Sequence, residues 1–357
     1  MELIVLVKSL MEEKVPSVFS GNNDNAAVFI CLTPVKNEAW ILPSFLRMVE
    51  TWADWIIILD QCSTDGSREI ARKHNKVILL ENDDPEFDER YRQSKLLSAA
   101  RQIPGKRILF ALDADESLSA NFVTNGDKEA VAQSPPGTVI ELKWPQILPQ
   151  LKRFYDVPHT PFGFVDNGAQ HNPKRIHSTR IPTPDGAIHL KLQDTVNMHF
   201  QYVPWERQKI KQLWYQCWET VNSPENDPIR IFRQYNQMRG IVKKNTLPIR
   251  QDWIAGYQDR GIDFNALEKV SGDDTWWEKD IVSMLSLYGA DRFRKTCIWD
   301  VDWVKKAASL GFEEPDKFVD PRGIVDRIFH KWLIVTQAYA KNYFVRVLDK
   351  YLIRKIW

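Results

Sequence analysis

"RILFALDADES", residues 107 to 117, sets an apolar run directly against three carboxylates, Asp113, Asp115 and Glu116. A short continuous apolar stretch ended by polar residues reads as a strand buried on both faces. Three earlier stretches share the pattern: "AVFICLT" (27–33), "WIIILD" (55–60) and "KVILLEN" (76–82). Between them Ile41, Phe45, Met48, Val49 and Trp52 fall at helical spacing, and "ERYRQSKLLSAARQ" (89–102) reads as a further helix. Strands alternating with helices predict βαβ units, hence an α/β fold with a mostly parallel sheet flanked by helices. Ligands of such sheets lie outside the carboxyl ends of the strands. Thr33 to Glu38, Asp60 to Asp65, Asn82 to Asp84 and Asp113 to Glu116 all follow such ends, so four polar loops are expected along one edge.

Composition narrows the class. With 357 residues, 43% of them apolar and 27% charged, the chain reads as globular and long enough for two structural units. A formal charge of +1 gives no electrostatic case for a nucleic-acid partner. Cys31, Cys62, Cys217 and Cys297 lie far apart with no CxxC pair, which points to reduced thiols and a cytoplasmic setting. "MELIVLVKSLMEEK" lacks the basic flank and cleavage site of a signal peptide, and no apolar run reaches the roughly 18 residues of a membrane span. Three regions are expected: an extension over residues 1–25, an α/β domain over 26–222 and a mainly helical region over 223–357.

Two carboxylates one residue apart repel each other unless something positive lies between them. A divalent cation offsets that repulsion, takes hard oxygen ligands, and commonly bridges carboxylates to substrate phosphates. The plainer alternative is that Asp113 caps the strand while Asp115 and Glu116 start a solvated turn. "DADESL" also partly resembles the acidic loop of haloacid-dehalogenase-type phosphatases, although that loop follows their first strand.

The four loops in order resemble the family-2-like glycosyltransferases of the Rossmann-like GT-A fold. Thr33, Pro34, Asn37 and Glu38 match in the first loop, Asp60, Ser63, Asp65 and Gly66 in the second, and Asp113 with Asp115 in the fourth. "MHFQYVPWERQKIKQLWYQ" (198–216) is similar to the segment that closes the catalytic domain in one branch. The resemblance implies transfer of a sugar from a nucleotide-diphosphate donor to a glycan or lipid-linked acceptor, with inversion, as in polysaccharide assembly. It further implies that the first loop, Asp60 and Asp65 contact the nucleotide, with Arg92 and Lys95 adding a basic contact. Asp113 would hold the ribose or the metal's water shell, and Asp115 would bind Mn²⁺ or Mg²⁺. His199, otherwise readable as a hydrogen-bonded core residue, would complete the metal site. An inverting base is sought in the irregular stretch 145–195, where Asp166 stands between Gly163 and Gly168 and Asp194 is its rival. A silent sugar- or partner-binding protein on the same scaffold is the alternative.

In the last stretch Ile328, Trp332, Val335, Phe344, Leu348 and Leu352 keep near-helical spacing among Lys331, Lys341, Arg346, Lys350, Arg354 and Lys355. Two readings stay open for residues 324–357. One is a packed helical subdomain with a solvated face, the other a peripheral contact with an anionic membrane.

Overall fold

Each of the four apolar runs forms a strand, because β-branched and aromatic side chains on both faces leave no side for water. The structure, a computed structural model, describes residues 26–175, 178–241, 245–269, 276–353 and 357, so the expected extension over 1–25 and residues 354–356 lie outside it. The first half runs β1 (Ala27–Val35), α1 (Leu42–Val49), β2 (Trp55–Gln61), α2 (Ser67–Lys73), β3 (Val77–Asn82), α3 (Glu89–Ala100) and β4 (Lys106–Ala111). There follow β5 (Glu116–Leu118), α4 (Asp127–Gln133), β6 (Val139–Lys143), β7 (Gln146–Ile147), β8 (Arg153–Tyr155), β9 (Thr160–Val165) and β10 (His189–His199). All seven residues of β2 are buried; each isoleucine there contributes about 1.5–3 kcal/mol relative to exposure.

The result is an α/β fold built on an eleven-stranded mixed sheet. β1 lies between β2 and β4, both parallel to it, so the strand order reverses there and opens a crevice at the carboxyl ends of β1 and β4. β9 is antiparallel to both β4 and β6, which the expectation of parallel units did not include. Beyond β9, β6 and β10 are parallel again, and β5 pairs antiparallel with the end of β10.

The described residues of the connection from β9 to β10 have no regular structure and lie along α3 instead. Arg101 donates to the carbonyl of Ala169 at 2.7 Å, His171 meets Gln93 at 2.8 Å, and Glu89 N–H donates to the carbonyl of Arg175 at 3.0 Å. Those helical anchors span twelve residues, about 18 Å of rise, so this strap climbs from the amino edge of the sheet to its carboxyl edge. Ile181 then enters the core beside Leu96, Leu97 and Ala100.

Burial and the nearby Arg101 charge push the His171 imidazole down to about 4. The unfolded chain therefore binds a proton before the folded one does. Stability should fall as pH drops from about 6.5 toward 4. Melting temperatures measured across that window should show this slope, and His171→Gln should flatten it.

The chain divides into two compact units, one reaching Val203 and including Leu247–Glu268, the other Pro204–Thr246 with Lys269–Trp357. The division falls ahead of residue 222, because α5 (Trp205–Asn222) packs with α6 (Pro228–Tyr235) and α8. After β11 (Thr246–Pro248) and α7 (Ala255–Gln258), the second unit continues with α8 (Trp276–Tyr288), α9 (Trp303–Ser309), α10 (Ile324–Thr336) and α11 (Tyr343–Leu348). Asp227 and Asp302 cap α6 and α9 by accepting from the backbone N–H groups of Arg230 and Lys305, both at 2.9 Å. No helix among the described residues is long and apolar enough to cross a membrane. All four cysteines are free thiols.

Candidate functional site

The first two loops are zipped together by their own polar groups. Asn37 takes a left-handed conformation (φ 56°), its N–H donates to Ser63 Oγ at 2.9 Å, and its Oδ1 accepts from Thr64 N at 2.7 Å. Asp65 accepts from Ala39 N at 2.9 Å and from Ser67 N and Oγ at 3.0 and 2.6 Å, so it braces the loops. Glu38 accepts from Trp40 Nε1 at 2.5 Å. Thr33 is fully buried beside Cys31, 3.4 Å from its sulfur, and Pro34 pairs with Leu59 in the sheet. Cys62, at the end of β2, also has positive φ (52°), a conformation held only where surroundings over-determine it.

At the end of β2 the buried Asp60 accepts from Arg68 Nε at 2.9 Å and from Ser63 N at 3.2 Å through Oδ2. Its Oδ1 is buried with no hydrogen-bond partner among the described residues. Gln61 next to it donates to the carbonyls of Asp84 and Glu86 and accepts from Arg92. Arg92 thus reaches the end of β2 and stacks 4.6 Å from the Phe87 ring. Lys95 is exposed on α3 over Tyr91.

The fourth loop holds the acids around an arginine. Arg180, brought over by the strap, donates to Asp113 Oδ2 at 2.7 Å and to Glu116 Oε2 at 2.6 Å. Asp113 N–H also donates to Glu116 Oε2 at 3.0 Å. Burial alone would lower the guanidinium pKa, but the charges of Asp113, Glu116 and Glu89 outweigh it and raise it. The Arg180 guanidinium lies 5.7 Å from the ring centres of both Trp144 and Phe162. Arg68 and Arg180 were not singled out from the sequence; an isolated arginine in an irregular segment carries no pattern.

Asp115, 5% exposed, faces the ring of His199 with Oδ1 3.4 Å from Nε2. That separation is an ion-pair distance without hydrogen-bond alignment, and Nε2 is buried with no hydrogen-bond partner. The ring is fixed from two sides: Trp144 stacks on it at 4.9 Å and 7°, and Gln201 Nε2 lies 3.2 Å from Nδ1. Register places Glu116 opposite His199 across β5 and β10, and Glu116 Oε1 and both amide atoms of Asn197 are likewise buried without partners. Among the described residues no group of three or more His, Cys, Asp and Glu side chains is arranged to hold a metal ion. Asp115 and His199 face each other as a pair, without a third such side chain arranged around them among the described residues.

Asp166 does not belong here. β9 runs antiparallel to β4, and Asp166 N–H donates to the carbonyl of Arg107 at the start of β4. Six residues of strand, about 20 Å, separate that position from Asp113. Its side chain is buried between Arg101 (2.9 Å) and Arg107 (3.0 Å). Against the cost of burial, those arginines and the Gly168 N–H hold its pKa below the usual carboxylate range. Asp166 is a structural counter-ion rather than a base for chemistry at Asp115. Asp194, the rival, is also displaced: it is exposed, pairs with Arg250 at 3.3 Å, and lies about 17 Å of strand before His199.

Neither a family model nor a curated protein matches the chain. Among solved structures, HddC from Yersinia pseudotuberculosis is similar over 52% of this chain and 97% of its own, at 8% identity and a TM-score of 0.29. A likeness of that size assigns neither family nor activity.

Proposed function

We propose that the chain is a glycosyltransferase of GT-A type, moving a sugar from a nucleoside diphosphate to a hydroxyl of a glycan or lipid-linked acceptor. One observation supports this above the rest. Among the described residues, Asp60 Oδ1 at the end of β2, and Glu116 Oε1 and His199 Nε2 opposite each other across β5 and β10, are buried without partners. Each such atom costs about 1–3 kcal/mol unless a ligand satisfies it.

In this reading Asp60 accepts a hydrogen bond from the nucleotide, beside the Gln61–Arg92 pair. Asp115 and His199 would hold Mn²⁺ or Mg²⁺, which supplies neutralisation of the charge that builds on a departing diphosphate. Arg180 brings a permanent positive charge to the same rim, and a diphosphate there competes with Asp113 and Glu116 for its donors. Proton removal from the acceptor falls to a carboxylate of this rim, Asp113, Glu116, or the exposed Asp83 and Asp84.

Thermal unfolding of the full chain with UDP-, GDP-, CMP- and dTDP-sugars, each with and without Mn²⁺, tests the proposal. A donor at about a hundred times its Kd should raise the melting temperature by roughly 5–10 °C. No shift with any nucleotide sugar overturns it, and a shift indifferent to Mn²⁺ removes the cation.

A further inference from the structure

Helix α10 buries two ionisable side chains beside Leu333 and leaves several large apolar ones outside. It buries Asp326 and His330 (4% and 2% exposed) while Ile324, Ile328 and Val335 stand 79%, 59% and 65% exposed. Those three, with Lys331, fall at i, i+4, i+7 and i+11, one stripe along the helix. The buried polar groups explain the orientation, because each has its partners inside. Asp326 accepts from Gly323 N at 2.9 Å and Trp357 Nε1 at 2.6 Å, and His330 lies 3.1 Å from the carbonyl of Lys295 and from Arg322 Nη1. Turning the helix to bury the isoleucines would strand them.

The exposed stripe continues through Tyr339, Tyr343 and Phe344 to Tyr351. Its charge is one-sided. Between residues 323 and 351 the cations Arg327, Lys331, Lys341, Arg346 and Lys350 are all exposed, and among the described residues only Arg327 of these is ion-paired, to Asp320 at 2.9 Å. The carboxylates of that stretch, Asp326 and Asp349, are both buried, Asp349 against Arg233 at 3.0 Å. Exposed apolar and tyrosine side chains interleaved with cations along residues 323–351 complement the interface of an anionic bilayer. There apolar side chains leave water, tyrosines sit at headgroup level and lysines meet lipid phosphates.

We infer that α10 and α11 form a peripheral membrane-binding face that takes anionic lipid headgroups together with the upper acyl region. The inference stands apart from the transferase reading, since it uses no residue of that site.

The test is co-sedimentation of the full chain with vesicles of 30 mol% phosphatidylserine in phosphatidylcholine, against phosphatidylcholine alone, at low and high salt. Binding is expected to the anionic vesicles and to weaken with salt. Lys341→Gln with Lys350→Gln should lower the partition coefficient about 25-fold, roughly fivefold per cation. Ile328→Ser with Phe344→Ser should lower it at least tenfold with an unchanged melting temperature, since both side chains are exposed. Equal binding to both vesicle types, or to neither, overturns the inference. So does concentration-dependent self-association abolished by Ile328→Ser with Phe344→Ser, which would give the face to a second copy of the chain.

Discussion

Asp115→Ala is expected to lower cation-dependent release of nucleoside diphosphate by about 10³-fold, the scale of losing one preorganised electrostatic contact to a developing charge. Asp115 Oδ1 lies 3.4 Å from His199 Nε2, so the substitution removes one of the two ligands proposed for the cation. The Asp115 carbonyl accepts from Phe200 N–H at 2.8 Å, a bond that survives the substitution. The melting temperature should therefore stay within a few degrees of the parent. A coupled assay for diphosphate release, run beside a thermal melt, measures both. Unchanged release with a folded protein would remove the acidic loop from the chemistry.

Asp166→Asn is expected to do the reverse. Removing one partner of a buried ion pair costs about 3–5 kcal/mol, because the remaining charges are left uncompensated. Here Arg101 and Arg107 would face an amide that accepts far less well. Both arginines retain some solvent contact, which favours the lower end. A drop of roughly 6–12 °C in melting temperature follows for a unit of this size. Below that temperature turnover should be unchanged, since Asp166 stands at the far edge of the sheet. A second signature is available in the acid limb. A carboxylate whose folded pKa lies below its unfolded value stabilises the protein above about pH 4, and that contribution disappears as pH falls through the folded pKa. Asp166→Asn should abolish this part of the pH dependence. A stable variant with lost turnover would restore Asp166 as the base.

The contrast between these two aspartates marks what could be read from the chain. β1 to β4 were legible because buried parallel strands advertise themselves as apolar runs, and their carboxyl ends then locate the polar loops. The register of β9 was not legible. "TPFGFV" is short, carries Gly and Pro, and gives no sign that it runs antiparallel beside β4. Without that direction the sequence sets Asp166 near the carboxyl edge of the sheet, which it never approaches. Arg180 was invisible for a related reason: its partners lie 64 and 67 residues away, joined by a strap with no periodicity. In α10 the helical period was readable, but not which side faces inward. Leu333 faces inward together with the hydrogen-bonded Asp326 and His330, while Ile328 and Val335 stay outside, so the apolar period alone does not select the face.

The strap has a bearing on tolerance to change. Its rungs on Arg101, Gln93 and Glu89 fix how much chain remains to reach the acidic rim. Lengthening it by even a few residues would let the guanidinium drift from Asp113 and Glu116, and two neighbouring carboxylates would then repel. Surface connections ordinarily accept insertions; this one behaves as a measured tether, its length set by the helix beneath.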